Sequence, residues 1–173
     1  MQTFPMNGDA WIELPREEED PIWRKVYDDL GFKPSTRATD FPGFKEPGPS
    51  VTYSISGIWG DDFEALEADL HAKAHSIFNK VTPEGDFLYA LDWQHECYRY
   101  FPYISDSSVA DQWKIPVLPN GDYYLFLERT LRFGWLGHPW EQTICVFGKP
   151  LLTELKHSQP KVYRNPVRRK DDR

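Results

Sequence analysis

Three short stretches hold titratable and aromatic side chains densely enough to do chemistry. They are Asp92-Trp93-Gln94-His95-Glu96-Cys97-Tyr98, Asn120-Gly121-Asp122-Tyr123-Tyr124 and Gly137-His138-Pro139-Trp140-Glu141. Side chains alternate along an extended segment, so Asp92, Gln94 and Glu96 would face one way and Trp93, His95 and Cys97 the other. His95 could then act as a general base, oriented by a carboxylate on a neighbouring strand. Gly137 and Pro139 flank His138 and constrain its backbone, which aims the ring in one direction. His138 and Glu141 could hold a divalent ion only if His95 or Asp92 joined them. The helical HExxH frame is absent and Pro139 blocks a regular helix, so no metal and no cofactor is expected. If the stretches converge, the catalytic candidates are His95, His138 and Glu141. The binding candidates are Asp92, Trp93, Asp122, Tyr123, Tyr124 and Trp140. The structural alternative has His95 bonded to a backbone carbonyl and His138 and Glu141 satisfying loop amides. Trp140 would then plug the edge of the core.

Periodicity indicates the elements that must position these stretches. Glu17, Glu18, Glu19 and Asp20 lead into Pro21. Ile22, Trp23, Val26, Tyr27 and Leu30 then recur at helical spacing before Gly31, which predicts a short amphipathic helix. Residues 33–50 contain Pro34, Pro42, Pro47 and Pro49 and fit neither helix nor central strand. Alternation of Val51, Tyr53 and Ile55 predicts a strand over 51–56. Asp61 and Asp62 are placed to cap a long helix that carries Phe63, Leu66, Leu70, Ala74, Ile77 and Phe78 on one face. Strands are expected over 87–93, 98–103, 115–118, 123–127, 131–136 and 143–147, with Asn120-Gly121 as a hairpin turn. A last helix is expected over 150–157. The fold class is therefore α+β. It has a largely antiparallel sheet of about five to six strands, one long central helix, a short N-terminal helix and a C-terminal helix. One domain spans 1–157, and 158–173 reads as a basic, flexible tail.

Composition removes several functions. The chain has 173 residues, 27 acidic against 20 basic, for a net charge of −7. Residues 161–173 alone hold six basic and two acidic side chains, so the rest is more acidic than the whole. An acidic body repels phosphate backbones, which argues against general nucleic-acid binding. No apolar run approaches the ~18 residues needed to cross a bilayer. The first fifteen residues lack the basic start and apolar stretch of a secretory leader, so a cytoplasmic location is expected. Cys97 and Cys145 belong to no metal-binding spacing and read as small buried hydrophobes. Phosphate-binding glycine loops and the GxSxG elbow are absent. Aromatics make up 16% of the chain, more than a core of this size readily hides. Trp59, Trp93, Trp113, Trp135 and Trp140 are the candidates to line a groove or interface.

Read together, PGFKEPGPSVTY (42–53), YALDWQHECYRY (89–100), VLPNGDYYLFLE (117–128) and FGWLGHPWEQTICVFGKPLL (133–152) resemble bacterial domain-of-unknown-function family 2716. The resemblance runs over about residues 23–155. DWQH, PNGDYY and GHPWE in that order are its specific part. It implies a small bacterial cytosolic protein and supplies no catalytic residues. By analogy of build, it is also similar to small α+β immunity proteins that bind and block toxins.

Two functions from different classes follow. The first is a binding protein of immunity or antitoxin type, whose acidic body suits a basic toxin as partner. The second is a small enzyme or small-molecule-binding protein with a His/Glu/Asp pocket. It would join His95, His138 and Glu141 with Asp92, Asp122 and Tyr123, while Trp140 or Tyr124 stacks on the ligand.

Overall fold

A computed structural model describes residues 8–104 and 113–172 of the chain. The leader-free reading of the N-terminus falls partly on residues 1–7, outside the described residues, as does Arg173 of the basic segment.

The chain starts with strand β1 (Trp11–Glu13) and helix α1 (Arg16–Asp29). Glu17, Glu18 and Glu19 sit in the first turn of α1, where their charge complements the helix dipole. The helix begins before the acidic run, so Pro21 lies inside it rather than at its start. The proline-rich segment forms no strand, and a single 3₁₀ turn covers Ala38–Asp40. Strand β2 (Ser50–Ser54) precedes helix α2 (Phe63–Val81). Leu70, Ala74, Ile77 and Phe78 form the buried stripe of α2, as their spacing requires. Asp62 occupies the N-cap position of α2 without a side-chain cap bond. Strands β3 (Leu88–Asp92), β4 (Tyr98–Tyr100), β5 (Tyr124–Leu127), β6 (Gly134–His138) and β7 (Thr143–Phe147) follow. Helix α3 (Lys149–His157) and strand β8 (Asn165–Lys170) complete the chain. Gly148 joins β7 to α3 at φ +95°, a conformation that only glycine adopts without strain.

The strands form one sheet in the order β1-β4-β3-β5-β6-β7-β2-β8, with antiparallel pairing throughout. Alternation divides each central strand between two cores. Ala90, Phe126, Trp135 and Val146 meet α2 and α3. Leu91, Leu125, Leu136 and Cys145 meet α1 together with Phe32 and Phe44 of the proline-rich loop. The α+β class and the antiparallel sheet stand as expected. The sheet has eight strands rather than five to six, and helices cover both of its faces, so no single helix is central.

Three segments differ from their sequence reading. β1 was not recognised because three residues carry too little alternation to register. Residues 115–118 form no strand. Ile115, Val117 and Leu118 are buried in the α2-side core, but Pro116 and Pro119 withhold ladder donors, and β5 pairs with β3 and β6 instead. The segment expected as a flexible tail carries β8, which pairs with β2 along five positions across a bulge. Its Pro166, Arg168, Arg169 and Lys170 suit an edge strand, where they discourage further pairing. Among the described residues, no helix is long and apolar enough to cross a membrane.

Candidate functional site

Register brings the first two chemistry-bearing stretches together. Asp92 at the end of β3 pairs with Tyr124 at the start of β5, so the turn leaving one strand lies beside the turn entering the other. Gln94 adopts a left-handed conformation (φ 69°) and folds the 92–97 turn back on itself. His95 thereby sets its Nδ1 2.9 Å from Asp92 Oδ1 and 3.4 Å from Asp122 Oδ2. The second Asp122 oxygen, Oδ1, accepts the Tyr123 N–H at 2.8 Å, which orients the carboxylate. From below, the Cys97 thiol lies within 3.5 Å of the Asp92 and His95 carbonyls and braces the turn. The hydrogen bond and charge of Asp92 raise the exposed His95 imidazole above its ordinary pKa. Burial raises the Asp92 carboxyl, although His95 opposes it.

Trp93 and Tyr123 lie on the α1 face and are occupied by structure. Trp93 meets Tyr123 edge to face at 5.9 Å and donates its Nε1–H to the Tyr27 hydroxyl at 3.0 Å. Tyr123 is buried. Its hydroxyl donates to the Ser35 carbonyl and accepts the Ser35 N–H, both at 3.0 Å, which ties the proline-rich loop to the sheet. Tyr123→Phe should therefore lower the unfolding free energy by about 1 kcal/mol in urea titrations, because a part-buried amide and carbonyl lose their partner. An unchanged midpoint would show that the loop is held by ring packing alone. Tyr124 points to the opposite face, toward the α2-side core.

His138 ends β6 and is only 2% exposed. Its Nδ1 accepts the N–H groups of Trp140 (3.3 Å) and Glu141 (3.0 Å), so the ring proton resides on Nε2. That Nε2 is buried without a hydrogen-bond partner among the described residues. Phe41 and Tyr123 face the ring at 4.6 and 4.8 Å. Burial lowers its pKa to about 4. The expected loop-amide role is thus the one His138 performs.

Glu141 accepts the Thr143 hydroxyl at 2.7 Å and receives two bonds from Arg168, at 2.7 and 2.9 Å. Arg168 simultaneously grips Glu46, whose side chain is nearly fully buried, at 2.7–3.2 Å. Burial alone would raise the Glu141 carboxyl, but the guanidinium and the Thr143 hydroxyl hold it below its ordinary value. Among the described residues, no hydrogen bond or ion pair joins His95 to His138 or Glu141. His95 is therefore not joined by direct polar contacts to the two residues expected to share its pocket. His95, Asp92 and Asp122 are brought together, and His138 and Glu141 serve packing and ion pairing elsewhere.

Other expectations also need correction. Trp135 is fully buried and Trp113 packs against the α2-side core, so neither lines a groove. Trp140 does not plug the core and stands half exposed, as does Trp59. Both cysteines are buried, and burial pushes each thiol up to about 12. Sequence reasoning passed over Glu46, Arg168, His71 and His75. His71 accepts the Val117 N–H through Nε2 at 3.1 Å, and His75 Nε2 lies 3.0 Å from the Pro102 carbonyl. Both fall on the same stripe as Leu70, Ala74 and Phe78, so helical spacing could have found them.

An antiparallel eight-stranded sheet between helical layers, with an Asp–His–Asp cluster where two of its turns meet, defines a small α+β protein whose polar site lies on loops. The chain belongs to the family described as "Protein of unknown function (DUF2716)", which matches residues 13–152. It is 32% identical over 161 residues to a Bacillus subtilis (strain 168) protein described as "Uncharacterized protein YxiI". That alignment covers 90% of this chain and 98% of the relative. No solved structure matches the chain at a significant level.

Proposed function

We propose that this protein is a binding protein of immunity or antitoxin type whose partner is a basic toxin. The observation that carries the reading is a pair of exposed indoles gathered about one turn. Trp59 and Trp140 are 50% and 52% exposed. Trp59 donates its Nε1–H to Gln142 Oε1 at 2.6 Å, and Gln142 lies two residues beyond Trp140 on the turn between β6 and β7. Trp59 also stacks on Phe63 at 5.1 Å, which holds its ring in place. Asp61, Asp62 and Glu64 stand exposed beside this stack. Exposed aromatic anchors with carboxylates beside them suit a basic protein surface. The indoles supply buried area on docking, and the carboxylates speed encounter.

The test mixes the purified chain with the basic toxin encoded by an adjacent gene. A stoichiometric complex that blocks the toxin is expected. Trp140→Ala should weaken it about 30-fold in Kd, corresponding to about 2 kcal/mol at an interface hot spot. Association should slow as salt screens the carboxylates. A gene standing apart from any toxin gene, or a Trp140→Ala variant that binds as tightly as the wild type, would overturn the proposal.

A further inference from the structure

We propose that Asp92, His95 and Asp122 form a mononuclear site for a late first-row divalent cation, with Zn2+ as its representative. Each residue offers one donor atom, and the three donors lie within 4.8 Å of one another. The two separations from His95 fall in the range such an ion requires. With bonds of about 2.0–2.2 Å, neighbouring donors stand about 2.8–3.1 Å apart in an octahedron and about 3.3–3.6 Å apart in a tetrahedron. His95 Nδ1 is 2.9 Å from Asp92 Oδ1 and 3.4 Å from Asp122 Oδ2.

The imidazole distinguishes the trio from an acidic patch. It sits between two carboxylates, and a nitrogen donor selects for Zn2+, Co2+ or Ni2+ over Mg2+ or Ca2+, which prefer oxygen throughout. The frame is already built around the donors. Asp92 is fixed at the end of β3, and the β3–β5 register brings Asp122 beside it. The Tyr123 N–H occupies Asp122 Oδ1 and leaves Oδ2 for the ion. The left-handed Gln94 and the Cys97 thiol hold the turn that carries His95. Three protein ligands, one of them on an exposed residue, leave the other coordination positions to water or to an incoming ligand. Nδ1 must give up its proton to bind the ion, so the site discriminates against acid. This inference does not depend on the proposed toxin partner, since the aromatic patch shares no residue with it.

Titration calorimetry of the untagged full chain at neutral pH tests the assignment, with Zn2+, Mg2+ and Ca2+ as separate titrants. Co2+ absorption provides a spectroscopic readout of nitrogen and oxygen ligation. One equivalent of Zn2+ should bind, and the alkaline-earth ions should bind at least 100-fold more weakly. His95→Ala and Asp122→Asn should each lower Zn2+ affinity tenfold or more and change the Co2+ spectrum. His95 is exposed on a turn, so His95→Ala decides the matter if Asp122→Asn fails to fold. Absence of Zn2+ binding at 1 mM would overturn the site. So would equal affinity for Mg2+, or undiminished Zn2+ binding by a natively folded His95→Ala variant.

Discussion

Arg168→Ala is expected to cost about 3–5 kcal/mol of unfolding free energy, because it strands two carboxylates rather than one. Glu46 is 4% exposed, and the guanidinium reaches both of its oxygens. Glu141 is bridged through both oxygens by the same group. The Lys170 ammonium adds a bond to the Glu46 carbonyl at 2.7 Å. These contacts fasten β8 to the loop that carries Glu46 and to the β6–β7 turn that carries Glu141. The variant should therefore lose amide protection first in β8 and β2, ahead of global unfolding. Chemical denaturation gives the size of the effect and hydrogen exchange gives its place. Arg168→Met combined with Glu46→Gln and Glu141→Gln should recover much of the loss, since no unpaired charge is then left behind. A cost below 1 kcal/mol for Arg168→Ala would mean that backbone pairing alone holds the edge.

This network also marks the limit of what the sequence makes legible. Glu46 and Arg168 are 122 residues apart, and each reads locally as surface charge. The pattern rules found α2 because its apolar stripe repeats with the helical period. They found β5, β6 and β7 because strands buried on both faces read as near-continuous apolar runs. They missed β8 because an edge strand contributes backbone hydrogen bonds and side-chain ion pairs, not apolar periodicity. They misread 115–118 because a buried irregular segment and a short strand carry the same apolar signature. The candidate site divides in the same way. Residue chemistry singled out Asp92, His95 and Asp122. Only the β3–β5 register shows that they meet, and only the structure shows that the His138 ring is enclosed. Trp135 and Trp140 are the same residue type five positions apart. One is buried in a strand covered on both faces, and the other is released to solvent by the turn.

His138 should make the fold acid-sensitive in a window of its own. The ring is neutral when folded, with a pKa near 4, against about 6.5 in an unfolded chain. Protons therefore bind the unfolded state more tightly. The contribution is fully present above about pH 6.5 and is lost as pH falls toward 4, amounting to about 3 kcal/mol over that span. The surroundings explain the direction. Burial among Phe41, Phe44 and Tyr123 disfavours the imidazolium, Glu141 favours it, and Arg168 opposes it. Glu141, held below its ordinary value, adds acid sensitivity under about pH 4.5, so the upper part of the His138 window stands clear of it. His138→Asn isolates the effect. The amide oxygen can still accept the Trp140 and Glu141 N–H groups, while the titrating ring is gone. The variant should be less stable at pH 7 because it loses the ring's packing. Between pH 6.5 and 4.5 its stability should fall less steeply than that of the wild type, by about 1 kcal/mol per pH unit. Urea titrations at half-unit pH steps measure both slopes. Parallel curves would place the acid sensitivity in another group and would require the newly protonated Nδ1 to find an acceptor.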